Sequence, residues 1–177
     1  MDDAHDIETH RLRLKPLSRD VLETLLEGDV ARASRIQGSA FSEHFLASVN
    51  EAFLTIHLEG LRRHPSEPGW FVRAITRIED NLIVGHCGFH GAPQDVGRAE
   101  IGYTIFPPFR RSGYGAEAAQ GLVEWARLRR APAVFAAVSV SNVASIGLVT
   151  KLGFRATRVV MTPSGDEEFV FELALSQ

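Results

Sequence analysis

The chain has 177 residues and is 45% hydrophobic, enough for a substantial core, and residues 1–177 read as one domain. Its 19 basic and 22 acidic residues leave a net charge of −3, which argues against a nucleic-acid partner, since that needs a basic stripe. Cys87 is the only cysteine, so an intrachain disulfide is excluded and a reducing cytoplasmic setting fits. The first residues are acidic and histidine-bearing, without an apolar leader, and the longest nearly apolar run, 131–140, is too short to span a membrane. The expectation is a soluble cytoplasmic protein with no membrane partner. A weakly acidic surface favours cationic amines only slightly.

Residues 10–15 alternate polar and apolar side chains, the pattern of a half-buried strand. Ser18 is a candidate N-cap for a helix over 19–27. Residues 42–63 carry Phe45, Val49, Phe53, Ile56 and Leu61 near helical spacing, as one long helix or two short ones, ended by Pro65 and Pro68. Residues 70–78 and 83–89 predict strands joined by a turn at Glu79, Asp80 and Asn81. A loop rich in glycine and proline, 91–97, leads to a strand over 100–106. The central helix is predicted over 113–130, with Ala118, Leu122, Trp125 and Leu128 as its buried stripe. Residues 134–138 read as an interior strand. Asn142 caps a helix that turns Ile146, Val149 and Leu152 inward and stops at Gly153. Strands over 155–162 and 168–173 close the chain as a hairpin. Together these give an α+β domain with a mixed, mostly antiparallel sheet and helices on both faces. No repeat or linker divides it.

The most informative stretch is 106–117. An apolar run ends at Pro107 and Pro108, which stop the strand. Arg110 and Arg111 follow, then Gly113 and Gly115, where the backbone can approach a ligand that a Cβ would block. The first turn of the next helix offers free N–H groups and a positive dipole end to an anionic oxygen. This is a cradle for a diphosphate. A nucleoside-triphosphate loop is excluded, because no lysine lies between Lys15 and Lys151. Gly113, Gly115 and Ala118 match the dinucleotide spacing, but the strand stops early and no acid follows the next apolar run. A glycine-rich turn without a ligand remains the plain alternative.

The spacing Arg110, Gly113, Gly115 resembles the acyl-coenzyme A loop of the GNAT superfamily of N-acetyltransferases. The residues Glu100, Ile101, Gly102, Tyr103 before it and Glu117, Ala118 after it are similar to the branch that includes ribosomal-protein N-terminal acetyltransferases (RimJ/RimL-like). So are Asn142, Val143, Ala144, Ser145, then Lys151, Leu152, Gly153, Phe154, and the opening residues 8–17. The resemblance covers nearly the whole chain. It implies a GNAT-like acyl-CoA N-acyltransferase fold, acetyl-CoA as co-substrate without a metal, and direct transfer of acetyl to a primary amine on a protein N-terminus or small molecule. It also implies that the sheet splays to admit the pantetheine arm. A catalytically silent acyl-CoA sensor or scaffold on the same fold stays open, as does a homodimer.

On that resemblance, residues 111–116 (Arg111, Ser112, Gly113, Tyr114, Gly115, Ala116), with Arg110, hold the diphosphate. Free backbone at Tyr103, Thr104, Ile105 and Phe106 pairs with pantetheine. Asn142 serves as cap and pantetheine contact. Ser145 donates to the departing thiolate. The tyrosine that many superfamily members use seven residues after the asparagine is here Val149, and a glutamate some carry five residues before it is Ala137. Glu100 is then the candidate base, next to a plainer role as a strand-end carboxylate. His86 and His90 flank Cys87 on one strand and share a face; they read as structural or substrate-lining. His86, Cys87 and His90 do not read as a metal site, because adjacent strand positions point to opposite faces and no fourth ligand is nearby. Trp70 is either core or cleft, and Lys151, Arg127 and Arg130 are equal candidates for the coenzyme's ribose phosphate.

Overall fold

A computed structural model describes residues 5–93 and 97–175. Among them the chain order is β1 (Ile7–Glu8), β2 (Leu12–Pro16), α1 (Arg19–Leu26), α2 (Val30–Gln37), α3 (Glu43–Ser48), α4 (Glu51–Arg63), β3 (Val72–Arg77), β4 (Ile83–Phe89), β5 (Ala99–Ile105), α5 (Tyr114–Leu128), β6 (Ala133–Ser139), α6 (Val143–Lys151), β7 (Arg155–Met161) and β8 (Glu167–Ala174). The strands form one sheet in the order β1-β2-β3-β4-β5-β6-β8-β7. Every pairing is antiparallel except β5 with β6. That parallel pairing is confined to Ala99 with Val134 and Glu100 with Phe135. Beyond Glu100 the two strands part, and the gap between them is the wedge around which the site is built.

Capping chemistry fixes most helix starts. Ser18 accepts from the Val21 amide and Asn142 from that of Ser145. Residues 42–63 split in two because Val49 is extended and the Asn50 side chain accepts from Phe53 N (2.8 Å), which begins a new helix. The helix α2 was not anticipated. Asp29 caps its start by accepting from Arg32 N, and Gly38 ends it in the left-handed region at φ 70°.

Two cores lie on opposite faces of the sheet. One packs α5 against Leu12, Leu14, Ile75, Phe89, Ile101 and Val134. The other packs α1 to α4 against Leu17, Val72, Ala74, Ile83 and Phe106. Trp70 belongs to the first core, with its ring 4.8 Å from Phe89 and 4.7 Å from Trp125. Leu128 corrects the predicted stripe, since it is 82% exposed. At roughly 100° per residue it lies on the far side of α5 from Leu122, and Ala118, Ala119, Leu122 and Ala126 fill the interface instead. β6 is interior in the sheet, between β5 and β8, but it is not equally buried on both faces. Val134, Ala136 and Val138 are buried, while the residues between them are half-buried, so only one face is fully covered.

Candidate active site

The register of β4 and β5 decides which main-chain groups reach the wedge. Phe106 N donates to Val84 O and His90 N to Glu100 O, each at 3.0 Å. Antiparallel ladders alternate, so Glu100, Gly102, Thr104 and Phe106 bond towards β4. Ile101, Tyr103 and Ile105 turn their backbone groups towards the gap. The expectation of free backbone from 103 to 106 is therefore corrected: Phe106 has its amide engaged and its ring fully buried in the second core. Ile105 O accepts from Arg110 Nε (3.0 Å), which ties the arginine back to the strand.

After β5 a short 3₁₀ turn over Pro107–Phe109 leads into the loop. Arg111 and Gly113 both adopt positive φ, 63° and 81°. Gly113 stands at the N-cap of α5 and supplies no side-chain cap. The first helical bond is Glu117 N to Gly113 O, which leaves the amides of Tyr114, Gly115 and Ala116 without intrahelical partners. They open onto a cleft of about 790 Å³ that runs from this loop along the wedge to α6. Tyr103, Thr104, Ile105, Arg110, Arg111, Gly113, Tyr114, Gly115, Ala116, Asn142 and Ser145 all line it, and so does Lys151. Ser112 does not line it. Arg127 instead pairs with Glu124 at 2.7 Å, and Arg130 likewise lies away from the cleft walls. Asn142 is spent in part on its cap, accepting from Ser145 N at 3.1 Å. The Tyr103 hydroxyl is buried without a well-formed hydrogen bond. Desolvation raises its pKa, and the nearby Ser145 hydroxyl opposes that rise.

A clamp that the sequence reading missed holds the loop from behind. Glu117, in the first turn of α5, accepts from Thr9 Oγ1 (2.6 Å), Arg11 N (2.6 Å) and Arg11 Nε (2.8 Å). The same guanidinium donates Nη1 to Ser112 O (2.9 Å) and lies 4.7 Å from the centre of the Tyr114 ring. The opening residues thus fix the carbonyl side of the loop, while its amide side faces the cleft. Glu8, Thr9 and Arg11 had been read only as part of a family opening; the signal for a contact was the acid at 117 one turn after the glycines.

On the other face of the sheet, a smaller cavity of about 220 Å³ meets the wedge at Tyr103 and Thr104, which border both spaces. Its walls include Phe53 and His57 from α4, and His86 and Cys87 from β4, with His90 just beyond that strand. The Phe53 ring is 4.6 Å from that of His57 and 5.0 Å from that of His86, and the His57 and His90 rings are 6.3 Å apart. His57 Nδ1 and His86 Nε2 are buried without hydrogen-bond partners. Burial, with a smaller push from His90 and His86, lowers the His57 pKa to about 4, and burial lowers that of His86 to about 4. Both rings are therefore neutral near pH 7. Glu100 stands outside the cleft, with Oε2 3.3 Å from His90 Nδ1. Cys87 is fully buried in the first core, its thiol pushed up to about 12 by desolvation, against a smaller opposing effect of Arg73. No group of three metal-ligating side chains is present among the described residues, and no helix among them is long and apolar enough to cross a membrane.

The family model described as "Acetyltransferase (GNAT) domain" matches residues 11–155. An N-acetyltransferase of Bacillus subtilis strain 168, YjdG, is 30% identical over 149 residues, covering 84% of this chain and 88% of that protein. A second from the same organism, YoaA, is 28% identical over 164 residues, covering 87% and 85%. Among solved structures, a GNAT-family acetyltransferase from Bacillus anthracis superposes with a TM-score of 0.66 at 19% identity, covering 97% of this chain and 99% of that one. A ribosomal-protein-S5-alanine acetyltransferase from Vibrio fischeri gives 0.66 at 13% identity, with 97% of both chains covered. The fold, the amide-lined wedge and a family match over most of the chain agree: this protein belongs to the GNAT family of acetyltransferases.

Proposed function

We propose that the protein moves an acetyl group from acetyl-CoA to a primary amine, on a protein N-terminus or a small molecule, by direct transfer in a ternary complex. One observation carries this reading. The uncapped amides of Tyr114, Gly115 and Ala116 open onto a cleft that follows the parted strands to a second cavity on the opposite face of the sheet. The amides and the dipole of α5 suit the diphosphate, with Arg110 and Arg111 adding positive charge. The main-chain groups of Tyr103 and Ile105 suit the pantetheine amides as an added strand. An acyl end lying in the wedge then faces the smaller cavity, where an amine enters from the α4 side.

Within this reading Ser145 donates to the departing thiolate, whose conjugate thiol has a pKa of about 8.5 and so leaves readily with modest help. Of the three candidates for the ribose phosphate, Lys151 lines the cleft and is assigned to it. The motifs around Glu100, Asn142 and Lys151 support a place beside the ribosomal-protein N-terminal acetyltransferases. The lone buried thiol suits the cytoplasm.

Calorimetry with acetyl-CoA tests the cleft. Gly113→Glu puts a side chain on a residue at φ 81° and a carboxylate against the diphosphate, so binding should be lost. Unchanged affinity refutes the placement. Initial-rate kinetics with labelled acetyl-CoA should give intersecting lines; an acetylated enzyme refutes direct transfer, and binding without turnover on a broad amine panel identifies a silent sensor.

A further inference from the structure

We infer that His90, oriented by Glu100, is the base that takes the proton from the acceptor ammonium, and that the cavity beneath it admits a primary amine on a slender stem. This rests on the acetyltransferase reading and assigns the acceptor half of the site. The register places the two groups together: His90 N donates to Glu100 O across β4 and β5, so their side chains emerge on the same face as neighbours. The carboxylate lies 3.3 Å from Nδ1, which favours the proton on that nitrogen and leaves the Nε2 lone pair free. Nε2 points over Gly102, where an added Cβ would lie only 3.1 Å away, and Gly102 is part of the cavity wall. A base held by a carboxylate, with its free nitrogen turned into the cavity, is the arrangement that general-base chemistry requires.

The other imidazoles fit a different task. His57 and His86 are deeply buried, and each keeps a ring nitrogen without a partner in the cavity wall. Charging either ring there is costly, so they serve as neutral hydrogen-bonding groups for the amine. The His90 side chain is 52% exposed, so its imidazolium is hydrated and faces the Glu100 carboxylate. The charged and titratable groups around it are His57, Arg63 and His64 on the α4 side, His86 and Cys87 on β4, and Glu100 and Tyr103 on β5. Glycines at 88 and 102 keep the walls close to the backbone, and a side cavity of about 90 Å³ shares His57 and His90 with the main one. A narrow branched space of this kind suits a small N-terminal residue or a linear alkylamine.

The step balances as follows. The ammonium gives one proton to His90 Nε2. The amine nitrogen's lone pair forms the C–N bond at the acyl carbon, and the C–S bond breaks with its electron pair going to sulfur. The second proton leaves the new amide nitrogen and replaces the hydroxyl proton that Ser145 gives to the thiolate, giving amide and thiol with Ser145 restored. His90 returns its proton to solvent. Here His90 is the catalytic base and Glu100 a positioning residue.

The test uses wild type, His90→Gln and Glu100→Met, with tetrapeptides bearing free serine or alanine N-termini and putrescine as probes. All three proteins should bind acetyl-CoA equally in calorimetry. kcat/KM for the amine should fall about 100-fold in His90→Gln, and the acidic limb of its pH profile should be lost. Nitrogen NMR of labelled histidine should find His90 in the Nδ1–H form in wild type and in a mixture in Glu100→Met. Failure of wild type to bind acetyl-CoA overturns the acetyltransferase reading and this inference with it. Normal binding with a His90→Gln profile superimposable on wild type overturns the inference alone. If no probe is acetylated, the NMR decides: an Nε2–H tautomer in wild type overturns it, and the Nδ1–H form, lost in Glu100→Met, supports it.

Discussion

Replacing Glu117 with alanine removes the knot that ties the opening strand to the phosphate loop. The carboxylate accepts hydrogen bonds of 2.6, 2.6 and 2.8 Å from Thr9 Oγ1, Arg11 N and Arg11 Nε. Its side chain is 15% exposed and that of Arg11 is 41% exposed. The guanidinium pair is therefore screened and contributes about 0.5 kcal/mol. Each shorter bond into the half-buried carboxylate contributes about 1.5 kcal/mol. Glu117→Ala should thus cost about 3–4 kcal/mol, and at roughly 2–4 °C per kcal/mol for a domain of this size its melting temperature should fall about 6–16 °C. Calorimetric unfolding at neutral pH measures this directly. The pH dependence supplies a second arm. Desolvation works to raise the Glu117 pKa, but the bonds from Thr9 and Arg11 outweigh it and hold the group below its ordinary 4.5. A depressed carboxylate stabilises the fold above its unfolded value and loses that contribution as pH falls through the folded one. The gap between wild type and Glu117→Ala should therefore narrow below about pH 4.5. A melting temperature within about 2 °C of wild type, or a gap that does not change with acid, refutes the account of the clamp.

The buried imidazoles give a separate pH signature. With His57 and His86 lowered from 6.5 to about 4, the unfolded chain binds more protons, so stability should drop as pH falls from 6.5 through about 4. The drop is about 3 kcal/mol for each ring; urea midpoints that stay level across that window exclude it, and His57→Phe should flatten part of the slope. Gly60→Ala would set a Cβ 2.2 Å from the buried Phe71 ring. Overpacking of about 1–3 kcal/mol should exceed the helix-propensity gain of about 1 kcal/mol, so a variant that melts higher contradicts the packing. Cys87, buried with its thiol pushed up to about 12, should resist a maleimide in the native protein and react on unfolding, as mass spectrometry can read.

Local chemistry made much of this structure legible in the sequence. Ser18 and Asn142 cap helices through contacts three residues away, and the prolines at 107 and 108 with the glycines at 113 and 115 mark a loop whose geometry is largely self-contained. What stayed hidden depends on distant partners. α2 was missed because its apolar face is thin, with only Ala33 and Gln37 buried, although Asp29 and Gly38 flank it in the manner of caps. Arg11 and Glu117 are 106 residues apart, and although an acid one turn after Gly113 hints at a contact, nothing in the sequence names its partner. His57 carries no signal in the sequence, because only the packing of α4 brings it to the imidazoles at 86 and 90. Phe106 was taken for cleft backbone because strand parity cannot be counted before the partner strand is known. Leu128 was misjudged by continuing a stripe past the end of the surface that it packs against.

The sheet is stitched across its middle by two residue pairs alone, Ala99 with Val134 and Glu100 with Phe135. Such a seam leaves the two halves joined mainly by the core that they share and by whatever lodges in the gap. An extended guest there would act as a missing rung, pairing with the edge of β5 at Tyr103, where β6 has already turned away. Occupancy should then firm up the whole molecule, by about 2.7 kcal/mol at a hundredfold excess over Kd, and slow amide exchange on both banks of the gap at once.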